Sequence, residues 1–247
     1  MKSVRLKLLL ACFVATMVVV SSAAQVDHSA FSAVLGSHVR NGMVDYAGIK
    51  RDKRFAPYLA SLSATAASTL TGHERLAFWI NVYNAYTIKL ICDNFPLKSI
   101  RDLSNGKVWD RPLVMIDHTM YSLNEIENDV IRPLGDHRIH FALVCAARSC
   151  PPLLSEAYTA QNVDSLLTVQ ARSFLRDRAV NSFDEVNKRA NLSHVFEWYL
   201  ADFGTTHAEL LRTISKYVDQ PLGARIAKEA QAWKITWNTY DWSLNGK

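Results

Sequence analysis

The chain has 247 residues, of which 49% are hydrophobic and 21% charged, with a net charge of +5. That length suits one domain, or at most two, with a sizeable buried core. The positive excess is not gathered into a Lys/Arg cluster able to track phosphates, so composition argues against nucleic acid as a partner.

The first residues read as a secretory signal peptide. Lys2, Arg5 and Lys7 precede an uncharged run from Leu8 to Val20, and Ser21-Ser22-Ala23-Ala24 comes next. A basic start, a short apolar run and small residues before a cut have that pattern. A spanning helix needs about 20 apolar residues, more than this run supplies. Residues 1–24 are therefore expected to be removed, leaving 25–247 as a single globular domain, periplasmic or secreted. No later segment is apolar enough to span a membrane. Removing the leader's three positive side chains leaves +2, which further weakens the basic pI as a sign of nucleic-acid binding. It also leaves three cysteines, Cys92, Cys145 and Cys150, enough for one disulfide and one free thiol in an oxidising compartment.

Helical spacing is present from His28 to Arg40 and again from Arg51 to Leu62. Between them Asn41-Gly42 breaks the chain and Met43–Tyr46 reads as extended. After a Ser/Thr/Ala connector, Glu74 to Phe95 predicts a long helix ending before Pro96. It is apolar around nearly its whole circumference and so belongs in a core. Asn81 and Asn84 share one face of it, and buried amides must find partners. They either fasten a neighbouring loop or line a polar pocket. Two strands are expected over 112–117 and 120–121. Ser122-Leu-Asn-Glu125 is a capping box that starts a helix to about Arg132, and Glu125 has an ordinary capping role there. Arg138–Cys145 reads as a central strand, apolar on both faces apart from His140. The segment Ala146–Pro152 leaves it as a loop. Helices over 162–176 and 194–203, a short strand over 190–192, a second capping box at Thr206 and Glu209, a helix over 222–232 and a strand over 233–237 complete the chain. The class expected is α/β of the α+β type, with helices around a small, mainly antiparallel sheet. No internal repeat or low-complexity segment interrupts it.

Several phrases occur together: FWINVYN over 78–84, YSLNEIE over 121–127, RIHFAL over 138–143, CAARSCPPL over 145–153, Phe196-Glu-Trp-Tyr199, Asp202-Phe203 and YDWSLN over 240–245. In order and identity they resemble the family called domain of unknown function 547, over about residues 42–245. Val144 departs from the pattern, because relatives often carry Asn there. The resemblance implies no established reaction. A distant layout shared with papain-like or transglutaminase-like thiol hydrolases is an analogy at the level of fold alone.

The reactive residues are His140, Cys145 and Cys150. A thiol hydrolase needs a thiolate, an imidazole within reach and a group that orients the ring. On a regular strand His140 and Cys145 point to opposite faces, which favours Cys150 as the nucleophile. The candidate catalytic set is Cys150, His140, and Asn81 or Glu125 as orienter. Asn84 and Arg148 are candidate binding residues. The competing reading of the cysteines is a Cys145–Cys150 disulfide. No paired Cys-x-x-Cys, His-Glu-x-x-His or phosphate-binding glycine loop is present, so no metal or cofactor is implied. Two functions fit this sequence. One is a thiol-dependent hydrolase or transferase acting on an amide bond. The other is a non-catalytic periplasmic protein that binds a small molecule or peptide.

Overall fold

A computed structural model describes residues 26–247. The expected leader, residues 1–24, lies outside the described residues. Helix α1 (Ser29–His38) runs into β1 (Val39–Arg40), which turns back on β2 (Met43–Val44). Asn41 and Gly42 both take positive φ at that two-residue turn, the geometry that twists a hairpin correctly and that Asn-Gly favours. Helices α2 (Tyr46–Arg51) and α3 (Phe55–Ser63) come next, then α4 (Gly72–Asn94). The chain continues through a hairpin of β3 (Val114–Ile116) and β4 (Thr119–Tyr121) into α5 (Leu123–Glu125).

The expected capping box is present there. Ser122 Oγ accepts from the Glu125 amide, and Glu125 accepts from the Ser122 amide. From Ile126 to Ile131 the turns widen to a π-helix, which ends in a 3₁₀ turn over Arg132–Leu134. Widened turns of this kind are frequent at functional sites.

The rest comprises α6 (Val163–Arg176), β5 (Ser182–Asp184), β6 (Arg189–Leu192), α7 (Val195–Trp198), α8 (Leu200–Phe203), α9 (His207–Ile214), α10 (Leu222–Lys228) and β7 (Lys234–Trp237). The α+β class holds. Among the described residues the sheets are three small pieces; β5 pairs antiparallel with β6, and β6 pairs parallel with β7.

Two hydrophobic clusters meet across α6. Val163 and Leu167 belong to the first, with α1 to α4. Ala171, Phe174 and Leu175 belong to the second, with Phe141 and the C-terminal helices. Helix α4 is buried along almost its whole length, as its apolar circumference predicts.

The expected strand over 138–145 does not form. Residues His137–Phe141 make a 3₁₀ turn, capped by Asp136, whose side chain accepts from the Arg138 amide. A short apolar run does not by itself distinguish a strand from a buried turn. The backbone partners decide it. Asn84 Nδ2 donates to the Ala142 carbonyl at 2.9 Å, and Asn84 Oδ1 accepts from the Val144 amide at 2.9 Å. Gln170 donates to the Phe141 carbonyl. Side-chain amides thus take the roles that a neighbouring strand would have filled.

Candidate active site

The chain leaves this fastened segment at Cys145 and at once takes a left-handed conformation at Ala146, φ +62°. A non-glycine residue there is uncommon and has to be held by its surroundings. The C-terminal segment does this. The Asn245 amide donates to the Ala146 carbonyl at 3.0 Å, the Arg148 amide to the Ser243 carbonyl, and the Ser149 amide to the Asp241 carbonyl. Asn245 is itself anchored, its Oδ1 accepting from the buried Tyr46 hydroxyl at 2.6 Å.

The same C-terminal segment reaches the sulfur. Tyr240 Oη lies 3.1 Å from Cys145 Sγ, and Cys150 Sγ is also 3.1 Å away. Both cysteines are free thiols, so the disulfide reading of this pair does not hold in this structure. Their environments differ. Cys145 is half-buried, whereas Cys150 is buried. The Cys145 thiol is held below its ordinary pKa, foremost by its hydrogen bond with Cys150, then by the Tyr240 hydroxyl and the Ala147 amide, against the effect of burial. Cys150 is pushed well up, first by burial and then by its neighbour. Of the two thiols, Cys145 is therefore the one that gives up its proton more readily.

Both sulfurs line one cavity of about 180 Å³, together with His140 and Glu127. Its aromatic wall includes Trp109, Trp198, Tyr240 and Trp242, in mutual contact. His140 rises from the 3₁₀ turn and is stacked on Tyr199, with ring centroids 3.9 Å apart. Its Nε2 meets Asp202 Oδ2 at 2.6 Å. A carboxylate only accepts, so Nε2 carries the proton and Nδ1 keeps its lone pair. Burial pushes the imidazole down to about 4, although Asp202 pulls the other way, and the ring is neutral near pH 7.

Asp202 in turn receives two hydrogen bonds from Arg132, at 2.7 and 2.8 Å. Arg132, foremost, holds the Asp202 carboxyl below its usual range. The Arg132 guanidinium also lies 5.5 Å from the Tyr199 ring centroid. The result is a chain of support, Arg132 to Asp202 to His140, at the edge of a thiol-bearing cavity. Neither sulfur hydrogen-bonds the imidazole among the described residues. Catalytic bonds of this kind are often long before substrate binds and tighten around it.

Glu127 is buried on the π-helical segment, its carboxyl raised by desolvation against hydrogen bonds from the Tyr199 and Tyr83 hydroxyls.

The family model described as protein of unknown function, DUF547, matches residues 67–175. The chain belongs to the DUF547 family. The matched stretch is shorter than the 42–245 span of the shared phrases. It contains Glu127, Arg132, His140 and both cysteines of this site, while Asp202, Tyr240 and Trp242 lie beyond it. No curated protein and no solved structure matches the chain, so the analogy with papain-like layouts gains no support.

Of the residues singled out from sequence, His140 and Cys150 reach the cavity and Asn81, Asn84, Glu125 and Arg148 do not. Both polar ends of Asn81 are taken by the Tyr158 backbone, at 2.7 and 3.0 Å. Asn84 fastens the segment before Cys145. Glu125 is exposed and occupied in its capping box. Arg148 is exposed and lines a separate groove of about 550 Å³ with Arg40, Asn41 and Asp177, a groove that Cys150 also borders.

The preference for Cys150 over Cys145 assumed strand parity. With residues 137–141 in a 3₁₀ turn that parity does not apply, and Cys145 shares the cavity with His140. Sequence reasoning assigned no role to Glu127, Arg132 or Asp202. One signal was available for Glu127. It sits four residues from both Leu123 and Ile131, so it interrupts an apolar helical stripe with a carboxyl group.

Proposed function

We propose that this protein is an exported thiol-dependent hydrolase or acyltransferase acting on an amide bond, with Cys145 as nucleophile, His140 as base and Asp202 as the group that orients the ring. One observation carries the reading. A thiol in hydrogen-bond contact with the Tyr240 hydroxyl and the Cys150 sulfur lines the same cavity as a neutral imidazole whose far nitrogen is fixed by a carboxylate. That is the division of labour a nucleophile, a base and its orienter require.

In the proposed reaction His140 takes the Cys145 proton at Nδ1, and the thiolate attacks the acyl carbon and forms a thioester. The proton held at Nδ1 passes to the departing amine. Water, or a second amine in a transferase, then attacks the thioester with His140 again taking the proton; the carbon–sulfur bond breaks, the acyl product leaves, and the proton returns to Cys145 Sγ. The cavity is smaller than the roughly 300–1,000 Å³ of a typical ligand pocket. It suits one acyl group or side chain laid against the aromatic wall, with the remainder of the substrate outside. The export component rests on the basic and apolar pattern of the leader.

The test is acyl trapping. The purified chain is mixed with a small activated ester, p-nitrophenyl acetate, quenched in acid and mapped by mass spectrometry. An acetyl group on Cys145, absent in Cys145→Ser and formed far more slowly in His140→Ala, is expected. Acetylation confined to Cys150 or to surface lysines would remove the catalytic reading and leave a protein that binds a ligand against the aromatic wall.

A further inference from the structure

Cys150 has no part in that acyl transfer beyond its contact with the Cys145 sulfur, yet its position is closely fixed. It lies five positions after Cys145, across a loop that turns at the left-handed Ala146. Two hydrogen bonds close this loop. The Cys150 amide donates to the Ala147 carbonyl at 3.2 Å, and the Cys145 amide donates to Cys150 Sγ at 3.0 Å.

We propose that Cys145 and Cys150 form a reversible dithiol–disulfide couple that reduces small aliphatic disulfides entering the aromatic cavity. The two sulfurs stand 3.1 Å apart. Bonding them needs an approach of only about 1 Å, toward a separation of about 2.0 Å. The pair is asymmetric in the way exchange requires. Both line the same cavity, but Cys145 is half-buried there whereas Cys150 is buried. An accessible thiolate attacks first and a shielded thiol resolves the product.

The Cys145 thiolate attacks one sulfur of the substrate disulfide and forms a mixed disulfide, and the other half leaves as a thiolate that takes up a proton. Cys150 then loses its proton and attacks Cys145 Sγ, forming the internal disulfide and releasing the second half as a thiol. The substrate gains two electrons and two protons, and the protein dithiol loses them. This activity shares Cys145 with the proposed acyl transfer but requires neither His140 nor Asp202. Closure also removes Cys145 as a nucleophile, so the oxidised protein is inactive in acyl transfer.

The probe is 2-hydroxyethyl disulfide, added to the reduced protein, with acid quenching and intact and peptide mass analysis. The wild type and His140→Ala are both expected to lose two hydrogens and to yield a peptide linking Cys145 to Cys150. Cys150→Ser is expected to keep one mercaptoethanol adduct on Cys145. Cys145→Ser is expected to react at least about tenfold more slowly. A wild-type protein that keeps a stable adduct, or that stays fully reduced, would overturn the proposal without recourse to any variant. Loss of acyl trapping in His140→Ala with disulfide closure intact would separate the two activities.

Discussion

Asn84→Ala is expected to lower stability by about 2–5 kcal/mol, because it strands two backbone groups, each costing roughly 1–3 kcal/mol when buried without a partner. The Ala142 carbonyl and the Val144 amide both depend on this one side chain. Neither has a strand beside it to substitute. For a chain of this size the loss corresponds to a fall of roughly 5–15 °C in the melting midpoint. Asn81→Ala strands the Tyr158 carbonyl and amide in the same way and is expected to cost a similar amount. The two variants differ in their effect on the thiol. Val144 precedes Cys145 directly, so Asn84→Ala is expected also to slow alkylation of Cys145, whereas Asn81→Ala leaves it unchanged. Denaturation midpoints with parallel alkylation rates check both parts. An Asn84→Ala protein of unaltered midpoint would contradict the role given to this amide.

Asp202→Asn is expected to reduce the rate of Cys145 acetylation by about 10²–10⁴-fold, up to the loss seen when the orienting carboxylate of a triad is neutralised. The amide no longer fixes the proton on His140 Nε2, and it no longer balances Arg132. Because Arg132 donates to both carboxylate oxygens, the substitution is also expected to cost some stability. Circular dichroism and the melting midpoint separate that cost from the kinetic effect. The rate is measured on protein shown to be folded at the assay temperature. A change of less than about threefold would show that Asp202 does not act through His140 in the reaction.

Much of the framework was legible in the sequence. The apolar circumference of residues 74–95 marked a buried helix, and α4 is one. The capping boxes at Ser122 and Thr206 are both present, each with its reciprocal hydrogen bonds. Asn81 and Asn84 do fasten neighbouring segments, one of the two roles open to buried amides. The site was less legible because its contacts are long-range. His140 and Asp202 are 62 positions apart, and Cys145 and Tyr240 are 95 apart. No local period links such pairs. The strand expected over 138–145 failed for a related reason. Its apolar residues were read correctly as buried, but its backbone partners are the side chains of Asn84 and Gln170, which local pattern does not reveal. The preference for Cys150 over Cys145 as nucleophile rested on the parity of that expected strand.

The most direct test of Cys145 as the nucleophile is the alkylation rate of each cysteine as a function of pH, resolved by peptide mass spectrometry on the reduced, folded protein. Alkylation tracks the thiolate fraction, so a thiol whose pKa is lowered reacts at lower pH. Cys145 is expected to react first, with its rate rising through a limb below the ordinary thiol range. Cys150, pushed up by burial, and Cys92, pushed up to about 12 by burial, are expected to lag. Preferential alkylation of Cys150, or equal rates at all three thiols, would contradict the assignment of Cys145 as the nucleophile.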